Sequence, residues 1–127
     1  MSHISKIELL IKDAEVLKKA CLHLDMQYSA DTEKFRRRGC EVEDRALAVI
    51  AILGVKPVIS VLAEGEVFAL RSLVYGHGTD LEGMTEAVGQ IKQRYAVEHV
   101  LAEARNKRMR VQETVTETGI RLVLTAY

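Results

Sequence analysis

The residues with the widest chemical reach are four histidines (3, 23, 77 and 99), two cysteines (21 and 40) and the adjacent pair Arg94-Tyr95. Metal chemistry requires several ligands on one face or loop. No two histidines here have HxxxH or HExxH spacing, and no Cys-x-x-Cys occurs, so no metal site is expected. His99 with Glu98 or Glu103 would be a helix-surface fragment needing further ligands from elsewhere. For nucleophilic chemistry the candidates are Cys21, Cys40, Ser60 and Ser72, without a Gly-x-Ser-x-Gly elbow. Cys21 falls on an apolar helical stripe and reads as a small hydrophobe. Cys40 follows Arg36-Arg37-Arg38, where positive charge favours thiolate; the plainer reading is an exposed thiol in a charged connection. No catalytic residue is assigned on this basis.

Anion binding has more support. Gly76-His77-Gly78-Thr79 leads into a helix, and backbone N–H groups at such a start can hold an anion. Arg94 offers a bidentate guanidinium, Tyr95 a hydroxyl, and His3 lies on the first extended segment. The candidate ligand-binding residues are therefore His3, Gly76, His77, Gly78, Arg94 and Tyr95. Each also has an ordinary explanation. Glycines serve wherever a strand turns sharply into a helix, Arg94 can pair with Glu98 four residues on, and Tyr95 lies on the apolar stripe. Arg94 also lies about four turns beyond Thr79, roughly 20 Å along a helix axis. No cofactor is implied. The basic clusters Arg36-Arg37-Arg38 and Arg105, Lys107, Arg108 and Arg110 lack interleaved aromatics, so nucleic acid is not an expected partner.

Elements that would carry these residues follow from periodicity. Residues 2–12 alternate Ile7, Leu9 and Ile11 against Lys6 and Glu8, as a half-buried strand does. Asp13 suits an N-cap, and Ala14, Leu17, Cys21 and Leu24 form a helical stripe. Residues 26–32 read as extended and 34–44 as a charged connection. Continuous apolarity over 46–53 predicts a strand covered on both faces. A hairpin follows, 58–63 and 67–75 about Glu64-Gly65-Glu66. The next helix starts at Thr79, with Glu82 completing a capping box, and its stripe is Met84, Val88, Ile91 and Tyr95. Gly83 and Gly89 weaken its first turns. A last hairpin joins 111–116 to 120–126 around Glu117-Thr118-Gly119, with Ile120, Leu122 and Leu124 expected in the core sheet.

These elements predict one α+β domain over residues 1–127: an antiparallel-rich sheet with two helices on one face, ferredoxin-like or a duplicated β-α-β-β arrangement. The composition agrees, with 48% hydrophobic and 28% charged residues, one proline, and 18 basic against 18 acidic side chains. Zero net charge gives no overall attraction to nucleic acid or anionic lipid. The longest apolar run is too short to span a bilayer, and no membrane association is expected. The two cysteines are expected to be unjoined thiols in the cytoplasm or a stroma.

The opening "MSHISKIELLIKDAEVLKKA", the stretch "IKQRYAVEHVLAEA" and the closing "GIRLVLTAY" resemble an uncharacterised family of small proteins. It includes a hypothetical chloroplast open reading frame of algae and cyanobacterial relatives. Met1, Ser2, His3, Gln93, Arg94, Tyr95, Ala96 and Tyr127 carry the resemblance, which implies a fold and a compartment and no mechanism. The expectation is a non-catalytic interaction or regulatory module, acting as a homo-oligomer and open to another protein partner. The alternative is a small enzyme or anionic-ligand-binding protein using residues 76–79 and Arg94.

Overall fold

The computed structural model describes residues 11–55, 57–72 and 79–126 of the chain. In chain order the elements are α1 (Ala14–His23), β1 (Gln27–Ser29), α2 (Thr32–Arg37), β2 (Ala48–Ala51), β3 (Ile59–Glu64), β4 (Val67–Arg71), α3 (Thr79–Asn106), β5 (Met109–Thr116) and β6 (Gly119–Ala126). The α+β class is as expected. Asp13 caps α1, its carboxylate accepting from the N–H groups of Glu15 (2.9 Å) and Val16 (3.3 Å), which satisfies donors that a helix start leaves without partners. Past its other end, Asp25 takes a left-handed φ of 57° and turns the chain into β1.

β1 to β4 form one antiparallel sheet in the order β1-β2-β3-β4. Each strand pairs with its neighbour in sequence, so the sheet is a meander and lacks the interleaved order of a ferredoxin-like sheet. Ala48 stands opposite Val61, Ile50 opposite Ile59 and Val61 opposite Leu70. Because side chains alternate, these residues share one face. Val16, Leu17, Ala20 and Cys21 of α1 pack on that face, with Met84, Ala87, Ile91 and Tyr95 of α3. Two helices thus cover one face of the sheet, as expected. Ile11 forms an antiparallel bridge with Phe68, its carbonyl accepting from the Phe68 N–H at 2.7 Å; Lys12 is outside any strand, and residues 2–10 of the expected first strand lie outside the described residues.

The opposite face is covered too. Val49, Val58 and Ser60 point there, and Phe35 of α2 packs with Val49 and Val58, joined by Cys40, Val42 and Ala51. Ser60 is buried, and its hydroxyl accepts from the Glu43 N–H at 3.1 Å. One reading changes here. Residues 32–37 are a helix, where a charged connection was expected over 34–44: Asp31 caps it through the Lys34 N–H, and Phe35 anchors it. The strand expected to be covered on both faces is so covered, by α1 and α3 on one side and by α2 and the segment after it on the other.

α3 runs unbroken past Gly83 and Gly89, both of which face open space. Arg108, with a left-handed φ of 54°, reverses the chain into β5. β5 and β6 pair over eight residues, from Met109 opposite Ala126 to Thr116 opposite Gly119. The hairpin is as the alternation predicts, but its place is not. Among the described strands, β5 and β6 form a two-stranded sheet of their own, beside α3 rather than inside the core sheet. Alternation shows that one face is covered; it does not say by what.

Candidate functional site

The sequence brings two chemistry-bearing residues together at 94 and 95, and the helix then sends them in different directions. Successive residues on a helix are about 100° apart. Tyr95 faces the core, 1% exposed. Its hydroxyl oxygen accepts from the backbone N–H groups of Lys12 and Asp13, both at 3.0 Å. The phenol therefore ties the middle of α3 to the start of α1, across more than 80 residues of chain. His99 stacks on its ring, with centroids 6.2 Å apart and planes 10° from parallel.

Arg94 faces the hairpin and is 5% exposed. Its Nε and Nη2 donate to Glu98 Oε1 at 3.1 and 3.0 Å, and its Nη1 donates to Glu113 Oε1 at 2.5 Å. Burial by itself lowers the pKa of the guanidinium. Hydrogen bonds to Glu113 and Glu98, and their charges, outweigh that and hold it above the usual arginine value. Two carboxylates meet one buried cation, so the cluster as a whole carries a negative formal charge. Its clearest physical effect is to fasten β5 to α3. Val97 and Ala104, at helical spacing from Arg94 and both buried, lie outside the two sheet clusters and continue the same side of α3.

Arg94 and Tyr95 thus make separate contacts, one to the hairpin and one to α1. His3, Gly76, His77 and Gly78 lie outside the described residues. Sequence reasoning found the Arg94–Glu98 pair but missed Glu113. The signal was present: Met109, Val111, Glu113 and Val115 alternate on one strand face, and an acid in an otherwise aliphatic set calls for a cation beneath it.

Hollows also open on the surface, two of them sizeable. One, of about 540 Å³, lies where α3 passes into β5, with Leu101, Met109 and Val111 as its floor and Arg105 and Arg108 beside them. The other, of about 650 Å³, is edged by Glu41, Glu43, Asp44 and Glu64. Arg71 answers part of that charge, bridging to Glu43 at 3.9 Å and pairing with Glu64. Among the described residues, no group of three or more histidine, cysteine, aspartate or glutamate side chains is placed to hold a metal ion. No described helix is long and apolar enough to cross a membrane.

No protein-family model, curated protein or solved structure matches the chain. The functional reading therefore rests on the chain's own geometry.

Elsewhere the chemistry is muted. Cys21 is fully buried, and burial pushes its thiol up to about 11. The Tyr28 hydroxyl is raised as well, first by burial and then by the neighbouring Cys21 and Glu15. A thiol held protonated is a poor nucleophile. Cys40 is half-buried, and neither cysteine is in a disulfide.

Proposed function

We propose that this chain is a non-catalytic interaction module that works as a homo-oligomer in the cytoplasm, with its hairpin as the contact element. The observation that carries this reading is the apolar surface left on β5 and β6. Val115 is 79% exposed, Val123 41% and Leu124 42%. Val115 and Leu124 share one face of the hairpin and Val123 lies on the other; aliphatic side chains left exposed on a two-stranded element are a common mark of an association surface. The alternative, an anionic ligand at Arg94, has less support, since that guanidinium already holds two carboxylates. The two unjoined thiols favour a reducing compartment. The uncharacterised chloroplast and cyanobacterial family that the chain's ends resemble is our proposed affiliation; a member with a different strand order would end it.

Light scattering across a dilution series tests the oligomer. The expected result is a mass above that of one chain at tens of micromolar, falling toward one chain on dilution. A single-chain mass throughout would overturn the reading.

A further inference from the structure

Among the described strands the two sheets have four edges, and these differ in how they are guarded. β1 is three residues long and offers little template for pairing. β4 is met at Phe68 by Ile11. β5 carries Arg110 and Glu113 and makes the hairpin's main contact with α3, where Arg94 holds Glu113. Among the described residues, β6 has none of these protections. It is eight residues long, contains neither proline nor lysine, and has Arg121 as its one charged residue among Ile120, Leu122, Val123, Leu124 and Thr125. A long, sparsely charged edge of this kind is the sort that proteins otherwise blunt.

Resting on the homo-oligomer reading above, we infer that β6 is the dimer edge: it pairs antiparallel with β6 of a second copy, joining two hairpins into one four-stranded sheet. A two-fold interface places the same surface on both copies, so the strand must be complementary to itself. Directly opposed residues in an antiparallel pair share a face, so the axis passes through a residue. Centred on Val123, the pairing sets Leu122 against Leu124 of the second copy, Arg121 against Thr125, and Val123 against itself. No two like charges meet. The half-exposed Val123 and Leu124 become cross-strand contacts, and a ribbon that is marginal with two strands gains the support of four. The contact is smaller than about 1,200 Å², so the dimer exchanges readily and has an affinity on the order of micromolar.

The test compares the parent chain with Val123→Lys, which sets two like charges face to face at the axis, and with Leu22→Lys, which adds the same charge at an exposed position of α1 away from the hairpin. Sedimentation or light scattering should show a parent dimer, at least about ten-fold weaker association in Val123→Lys, and parent-like association in Leu22→Lys. Amide exchange on the parent supplies a measurement that needs no variant. Alternate β6 amides should be protected at high concentration and lose protection on dilution, while β5 stays unchanged. If the parent dimerises yet Val123→Lys associates as tightly, or β6 exchange ignores concentration, the β6 inference is wrong and self-association stands. If the parent is monomeric throughout, both fall. Should Val123→Lys fail to fold, parent exchange decides alone.

Discussion

Arg94 shows how far one residue can be understood from its neighbours in sequence. Its partner Glu98 was legible at four-residue spacing; Glu113, nineteen residues on, was not, because helix periodicity carries no record of what lies across a chain reversal. The consequence is measurable. Arg94→Ala leaves two carboxylates together without their cation, and removing one partner of a buried ionic group typically costs about 3–5 kcal/mol. Since Glu113 keeps a third of its side-chain exposure, the lower end of that range is expected, and Glu113→Ala should cost less, about 1–2 kcal/mol. Chemical denaturation will rank them; a larger loss from Glu113→Ala would contradict the geometry. Cys21 gives a prediction with a pH sign. Its thiol ionises in the unfolded chain near the ordinary cysteine value of 9.0 but only near 11 when folded. Above the lower value the unfolded chain binds fewer protons, so stability is full below pH 9 and falls as pH rises through 11. Melting temperatures should decline over that window, and less steeply in Cys21→Ala. In the folded protein Cys40 should react with a thiol reagent well before Cys21.

At the scale of elements, boundaries were legible where sequence chemistry is local. The Asp13 cap, the Glu64-Gly65-Glu66 turn and the Glu117-Thr118 turn each announce themselves within a few residues. α2 did not, because a six-residue helix with one buried side chain, Phe35, is too short to display a period. Nor did the hairpin's attachment. Since β5 and β6 stand outside the core sheet among the described strands, deleting residues 109–127 should leave a soluble chain that still melts cooperatively, at a lower temperature because Arg94 loses its partner Glu113. Calorimetry decides; a truncated chain without a cooperative transition would place the hairpin in the core after all. Arg108 is the junction residue. At φ 54° a glycine relieves a steric cost that a side chain bears, so Arg108→Gly should change stability little or raise it by up to about 1 kcal/mol. A substantial loss would mean that the Arg108 side chain itself supports the groove beside Met109.

For the whole molecule, the sequence indicated an α+β class and a sheet with helices on one face, because apolar periodicity is a property of each segment. It did not indicate how residues 32–46 close the other face, which depends on where distant segments meet. Tyr95 is the joint between the two ends of the described core, and Tyr95→Phe removes the acceptor for two partly buried N–H groups. A loss of about 1–3 kcal/mol is expected, read from the denaturation midpoint.

The meander has a consequence in time. Neighbouring strands can pair as soon as each emerges, because every partner in β1 to β4 is the adjacent strand, and short loops close at low entropic cost. The face on which α1 lies stays only partly covered until α3 has followed as far as Tyr95, whose phenol reaches back to Lys12 and Asp13. A nascent chain stalled before α3 would therefore hold a formed sheet with the α3 part of its apolar face bare, a short-lived client for whatever holds unfinished chains in solution.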